Sequence, residues 1–328
     1  MRRLLHAMLT IGSALFMVLY WSVAWPQVET YPSKPIKIVV GFPPGGINDL
    51  VARVLAVRMG EGLGQPVLVE NRAGAGGTIG VDHVAKSKSD GYTLVLGSVS
   101  NMAMAMSQYK SLPYDTPRDF APITLAAAAP NILVAHPSFA AKSVKDLVSL
   151  ARQKPGAISY ASAGNGTSNH LTVELLKTIT GIDVVHIPYK GDSPAVQETV
   201  GGQVQFMFAT LPVVLQHIRG GKLRALAVSS PKRSALLPEV PTVMESEIAN
   251  FEVSVWVGLF APAGTPKEVV SRLNGEAVRI LAMQAVREHL AGLGVEAFGN
   301  SPAQFAQIVA ADIEKWAQIA KRAGLQPN

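Results

Sequence analysis

The residues best suited to chemistry gather in a few short stretches rich in glycine and hydroxyls. The first runs from Phe42 through Pro44, Gly45 and Gly46 to Asn48 and Asp49. Ser100 and Asn101 form the second, and Ser162, Ala163, Gly164, Asn165, Gly166 and Thr167, with His170 beyond, the third. Tyr189, Lys190 and Gly191 make the fourth, and Ala209 and Thr210 the last. Glycine lets the backbone approach a ligand closely. A helix starting after such a stretch leaves N–H groups unpaired and carries partial positive charge, which suits an anion. One such helix end contributes about 0.3–1 kcal/mol at a surface and up to about 2 when partly buried. Lys190 is the only formal cation in these loops, so the chemistry they offer is holding a carboxylate mainly by N–H and hydroxyl donors.

Patterns for transforming a substrate are missing. Gly191-Asp192-Ser193-Pro194-Ala195 falls one residue short of a nucleophile elbow, and Ser193 before Pro194 is predicted to cap a helix. Gly74 to Gly80 is rich in glycine, but its spacing departs from a dinucleotide fingerprint and it follows the second strand rather than the first. Seven histidines give no H-E-x-x-H pattern. His170 and Glu174 share a helix face, two ligands where a catalytic zinc needs three. His186, in an apolar strand, reads as a core residue. With no cysteine, thiolate metal sites and thiol nucleophiles drop out. No catalytic residue, metal or cofactor is assigned, and the chain is read as a binding protein, not an enzyme. The rival from another class is a hydrolase using Ser193 or Ser162.

The elements that must position these loops alternate. Ile36–Val40, 66–70 and 92–96 read as strands, with helices over 50–59 and up to 84 between them, and Asn48 or Asp49 is the expected cap of the first helix. The middle repeats the pattern: strands at 158–161, 184–187, 204–208 and 223–228, a helix over 169–179, and Pro194 and Pro212 each opening a helix in its favoured first position. From Pro266 on the chain reads as nearly all helix. Such alternation implies α/β layers with largely parallel sheets, and ligands in open parallel sheets bind beyond the strand C-termini. Ile132–Ala135 and 253–259 are candidate crossing strands between two lobes.

A length of 328 residues suits two domains. Hydrophobic residues make up 48% and charged residues 16%, a globular balance. The net charge of +6 is scattered with no run of five like charges, and the 10 Phe and 7 Tyr form no stacking motif, so no nucleic-acid partner is expected. Arg2 and Arg3 precede an apolar stretch, Leu4 to Ala24, ending in Ser22-Val23-Ala24. This is the three-part pattern of a secretory signal cleaved near Ala24, with a membrane anchor as the alternative. Such a leader is expected to export the chain.

The loops also carry a resemblance. Tyr31-Pro32-Ser33-Lys34-Pro35-Ile36, Pro44 to Asp49, Glu70 to Gly77, Asp90 to Leu94, Leu112 to Asp115, Asp119 to Ile123, Tyr160 to Thr167 with His170-Leu171, Pro188 to Gly191, Pro238 to Thr242 and Ala261 to Pro266 occur in order. Together they resemble the Bug family, the TctC-like substrate-binding receptors of tripartite tricarboxylate transporters. The resemblance implies a two-lobed, type II periplasmic-binding-protein fold, each lobe a mostly parallel sheet flanked by helices, with the ligand in the cleft between them. Lobe boundaries would be 25–129 with 252–328 for the first and 130–251 for the second. It implies a carboxylate as ligand, the family's being di- and tricarboxylates, acidic or amidated amino acids, and aromatic or nicotinate-like acids; a di-/tricarboxylate or aromatic acid is expected here, held by the loops 42–49 and 162–167, in a monomer that hands it to membrane subunits of such a transporter. A sensor role beside a membrane kinase is the alternative partner. Many relatives carry Asp where this chain has Ala209, in a position expected to face the cleft. The loss of that carboxylate suggests a preference for acids without an amine.

Overall fold

The computed structural model describes residues 31–322, and the leader expected over 1–24 lies outside them. Strands β1 (Ile36–Val40), β2 (Val67–Asn71) and β3 (Thr93–Ser98) alternate with helices α1 (Ile47–Leu63) and α2 (Thr78–Ala85). Two single-turn helices, α3 (Val99–Met102) and α4 (Thr116–Asp119), lead to the long strand β4 (Phe120–Ala135). Then come α5 (Val144–Gln153), β5 (Ser159–Ser162), α6 (Ser168–Thr180), β6 (Val185–Pro188), α7 (Asp192–Val200), β7 (Phe206–Thr210), α8 (Leu211–Arg219) and β8 (Arg224–Val228). The chain returns through β9 (Ser254–Pro262) and closes with α9 (Lys267–Leu281), α10 (Gln284–Gly292), β10 (Glu296–Ala297) and α11 (Pro302–Arg322).

The strands join in the order β2-β1-β3-β9-β4-β7-β5-β6, with β8 and β10 also paired to β4. β1 lies parallel to β2 and β3, and β5 parallel to β6 and β7, as strand–helix–strand crossovers require. β9 and β4 run antiparallel to their neighbours, so the sheet is mixed at its centre. β4 is shared: Phe120–Pro130 pairs with β9, and Asn131–Ala135 with β7 and β8. The other expected crossing strand, β9, pairs among the described residues only with β3 and β4.

Strand periodicity sorts the core. In the second half of the sheet, Leu133, Ala135, Tyr160, Phe206 and Phe208 pack on one face, beneath α5 and α6. Ile132, Val134, Ala161, Met207 and Ala209 pack on the other, beneath α7 and α8. Both faces are covered, which explains why these strands read as nearly continuous apolar runs.

The helix starts differ from expectation. Gly46, not Asn48 or Asp49, is the N-cap of α1. Asn48 instead reaches back, its Nδ2 donating to Leu96 O at 3.1 Å. Gly191, not Ser193, is the N-cap of α7, so Pro194 is the third helical residue and Ser193 the second. Pro212 is likewise the second residue of α8. Both prolines still fall in the first turn, where the missing N–H costs nothing.

Candidate ligand-binding site

The loops after β1, β2, β3, β5, β6 and β7 converge at the strand C-termini. The first is tied from behind by its own helix. Asp49 Oδ2 accepts the Gly45 N–H at 3.1 Å, and its two oxygens take both arms of the Arg53 guanidinium at 2.9 Å. Asn71 Nδ2 donates to Asp49 Oδ1 at 2.9 Å and to Phe42 O at 3.0 Å, which joins this loop to the end of β2. Burial pushes the Asp49 carboxyl up. The hydrogen bonds from Arg53, Asn71 and Gly45, with the charge of Arg53, outweigh that and hold it below the usual carboxylate range.

The loop after β5 is tied in the same sense by different chemistry. His170 Nδ1 accepts the Gly166 N–H at 3.2 Å, again four residues on. Ser162 Oγ accepts the Gly164 N–H at 3.1 Å and lies 2.6 Å from His186 Nε2. The two imidazoles stack with centroids 4.1 Å apart, and Tyr160 stacks on His186 at 4.9 Å. Burial lowers both histidines: His186, further disfavoured by the neighbouring His170 and Lys177, falls to about 3, and His170 falls despite Glu174. Both imidazoles are therefore neutral at pH 7. The third loop is pinned to this one by Tyr189 N–H on Ser162 O (3.0 Å) and Gly191 N–H on Ala163 O (3.1 Å).

The two sets of loops meet. Ser168 N–H donates to Ser100 Oγ at 3.0 Å, and Ser193 Oγ donates to Pro44 O at 3.4 Å. At Gly191 (φ +117°) a Cβ would stand 2.8 Å from the Pro43 ring, so both the backbone conformation and the close approach exclude a side chain.

Two cavities lie between the loops and share Phe42 and Ala163. The outer one, about 680 Å³, takes Phe42, Ala163, Gly164, Asn165, Tyr189, Lys190 and Gly191 from the expected residues. The inner one, about 20 Å³, takes Gly46, Asn48, Ser100, Thr167 and Thr210. Thr167 and Thr210 are the N-caps of α6 and α8 and cap neither with a side-chain hydrogen bond. Thr210 is 2% exposed, and its Oγ1 has no partner among the described residues.

Eight expected residues line neither cavity. Gly45, Asp49, Ser162, Gly166 and His170 form the supports behind the loops, and Pro44 accepts the Ser193 hydroxyl. Asn101 is buried, Oδ1 accepting the Ser98 N–H at 2.8 Å. Ala209 is fully buried in the apolar layer under α7 and α8, because strand alternation turns it away from the cleft. A carboxylate at that position in this backbone would enter the core, not meet a ligand.

The structure adds residues that the sequence reading passed over. Ala73 to Gly77 and Tyr109 line the outer cavity, and Tyr109 OH donates to Ala75 O at 3.1 Å. The glycine loop after β2 has the same composition as its neighbours, and that composition is the signal that could have placed it at the cavity. Ser168, Asn169 and Asp192 line the inner cavity. Asp192 follows a strand-end glycine directly, and that spacing is the signal that could have found it. A groove of about 730 Å³ opens elsewhere, between Ala128–Pro130, Ser230–Leu236 and 291–296. No residue lining it belongs to the first turn of a helix; its polar lining comes from Ser230, Lys232, Arg233, Ser234, Glu252 and Glu296. Among the described residues no group of acids and histidines could hold a metal, and no helix is long and apolar enough to cross a membrane.

The profile of the tripartite tricarboxylate transporter family receptors, TctC, matches residues 51–325. The chain belongs to this family. It is 40% identical over 299 residues to Protein BugT of Bordetella pertussis, covering 91% of this chain and 92% of that one. It is 41% identical over 303 residues to a UPF0065 protein encoded between tcbD and tcbE in Pseudomonas sp. strain P51, covering 92% and 90%. Among solved structures, an R. palustris protein with adipate matches with a TM-score of 0.88 at 35% identity, over 91% of this chain and all of that one. MatC from Rhodopseudomonas palustris with bound malate matches at 0.85 and 33%, over 88% and 99%. The periplasmic binding protein BugD matches at 0.87 and 38%, over 91% and 100%. The fold is thus the α/β, two-lobed architecture of periplasmic binding proteins, and the family is one of receptors.

Proposed function

We propose that this chain is an exported solute-binding receptor, not an enzyme. It captures a small carboxylate between two lobes and delivers it to the membrane subunits of a tripartite tricarboxylate-type transporter. The lobes are 25–129 with 252–328 and 130–251, the leader is removed near Ala24, and the mature protein works in the periplasm. The observation that carries the reading is the convergence of α1, α6, α7 and α8 by their N-termini on the inner cavity, beside the unpaired Thr210 hydroxyl. Helix N-termini and hydroxyls hold a carboxylate without needing a formal cation. The Phe42–Gly46 loop, Ser100 and the Ala163–Thr167 loop supply its walls, and Tyr189, Lys190 and the 73–77 loop enclose the rest of the ligand. Adipate and malate in solved relatives support the same class of ligand.

Ser162 and His186 make a hydroxyl–imidazole pair, but Ser162 is fully buried and lines neither cavity. A nucleophile must reach its substrate, so this geometry supports a loop support, not a hydrolase. A ligand that favours the closed lobes raises the melting temperature by mass action. A thermal-shift screen over di- and tricarboxylic and aromatic acids, on protein unfolded and refolded to strip retained ligand, tests the reading. At least one acid should raise the melting temperature in a dose-dependent way, and a screen with no hit would overturn it.

A further inference from the structure

We propose that this receptor takes up one proton with each carboxylate it captures, and that Asp192 holds that proton. The inference rests on the receptor reading above and adds a second, ionic ligand to the same seat.

Asp192 is the first residue of α7, and its carboxyl lines the inner cavity. Oδ1 accepts a hydrogen bond from Asn169 Nδ2 at 3.1 Å, and the same amide donates to Phe208 O at 2.8 Å, so the carboxyl is held in place. Oδ2 accepts no hydrogen bond from the described residues and faces the start of α1, where a Cβ on Gly46 would stand 3.2 Å from it. The cavity of about 20 Å³ has room for about one water. A carboxylate seated at its mouth therefore comes within about 4–6 Å of Oδ2, the range in which a like charge disfavours ionisation.

The charged groups around Asp192 are engaged elsewhere. On α1, Asp49 holds the Gly45 N–H and Arg53. On α6, His170 accepts the Gly166 N–H, and Glu174 takes Lys177 and the hydroxyl of Tyr160 from β5. His186 of β6 lies against Ser162, and Lys190 lines the outer cavity. On α7 itself the other acid, Glu198, is in the last turn. β7 carries no charged residue, and α8 has its His217 and Arg219 in its last turn, away from the seat. Among the described residues Asp192 makes no ion pair. Burial pushes its carboxyl up to about 6, against the pull of the Asn169 amide. His170 and His186 are already neutral above pH 6.5 and Asp49 is already ionised, so none of the three changes charge there.

The first turns of α1, α6 and α8 draw an anion toward this lone acid. Two carboxylates in one desolvated seat are relieved when one of them takes a proton. On Oδ2 that proton turns an acceptor into a donor that faces the seat. It enters from solvent as the ligand binds and returns when the ligand leaves. Asp192 is thus more basic in the complex than in the empty receptor, and acidification favours binding. Above about pH 6 the affinity should fall by up to about tenfold per pH unit, and below it the empty seat is already protonated and the dependence levels off.

The test is calorimetry on refolded, ligand-stripped protein with succinate, glutarate, benzoate and any acid that raises the melting temperature in the screen. Titrations at about pH 8, 7 and 6, each in two buffers of different ionisation enthalpy, give the affinity and the protons taken up. The wild type should bind at least about tenfold tighter at pH 6 than at pH 8, and take up close to one proton per acid near pH 7. Asp192→Asn keeps the Asn169 contact and carries a permanent donor in place of the proton. It should bind at pH 8 about as tightly as the wild type does at pH 6, with little pH dependence, since free carboxyls titrate near 4. Wild-type binding that is flat in pH with no proton uptake would overturn the inference while leaving the receptor reading intact, and needs no variant. An unchanged slope in Asp192→Asn would overturn it too, by placing the proton elsewhere. If no acid binds at any of these pH values, the receptor reading fails and takes this inference with it.

Discussion

The two loops that face each other across the cleft are supported by the same geometry and opposite chemistry. In each, the side chain four residues ahead, in the first turn of the following helix, accepts a glycine N–H: Asp49 from Gly45, His170 from Gly166. Behind the first loop lies an ionised knot of Asp49, Arg53 and Asn71. Behind the second lies a neutral stack of His170, His186 and Tyr160. A loop that must present its backbone to a ligand needs its other side fixed, and a carboxylate or an imidazole can each accept the bond. The charge state decides how each support fails.

The comparison breaks most visibly at Asp49. Asp49→Ala leaves the Gly45 N–H without its acceptor, strips Asn71 Nδ2 of one of its two and the Arg53 guanidinium of its carboxylate, and should cost about 2–4 kcal/mol in urea unfolding. Ligand affinity should fall with it, although Asp49 lines neither cavity. A loss under about 0.5 kcal/mol would mean the knot supports nothing. His170→Ala should cost less, about 2 kcal/mol, from one hydrogen bond and the aromatic stack. If it exceeded the Asp49 loss, the neutral support would be the stronger.

pH sharpens the contrast. Asp49 has a lowered pKa, so its contribution is complete above the unfolded value near 3.8 and is lost only as the pH falls through its lower folded value. The histidines are also lowered, so between about 6.5 and 3 the unfolded chain binds protons that the folded one refuses. Stability from the second support should therefore fade from pH 6.5 downward. Asp192 acts in the opposite sense between about 6 and 3.8, since the folded state then holds the extra proton. The measurement is thus made against His186→Phe, which keeps a ring in the stack. Wild type should lose stability relative to this variant on acidification, by up to about 1.4 kcal/mol per pH unit for one proton. Parallel curves would refute the assignment. The smallest effect should come from Arg53, whose side chain is 54% exposed. Arg53→Ala should cost about 0.5 kcal/mol, shrinking further in 1 M salt.

Much of this was legible in the sequence, for definite reasons. Apolar runs ending in glycine at Val40-Gly41 and Ser162-Gly164 fix where strands stop, and the strand C-termini then fix where a ligand sits. What sequence could not separate is the front of a loop from its back. Gly45, Asp49, Gly166 and His170 read as ligand contacts from their place in the loops, yet they tie the loops through Gly45 N–H to Asp49 and Gly166 N–H to His170. Ala209 reads as facing the cleft but lies in the core, because one residue of strand register decides between the two. Ser193 reads as a cap from its place before Pro194, but Gly191, two residues earlier, performs that role, which puts Asp192 at the helix start. The loop at 73–77 lines the outer cavity, yet its glycine spacing alone does not tell a ligand wall from a turn.

The shared strand offers a two-channel readout. Residues 120–130 of β4 are clamped by β9, and 131–135 by β7 and β8. Amide exchange along this one strand thus reports the opening free energies of both halves of the sheet within a single peptide. A ligand held between the halves should slow both channels together, whereas one that engages a single half should slow its own channel alone.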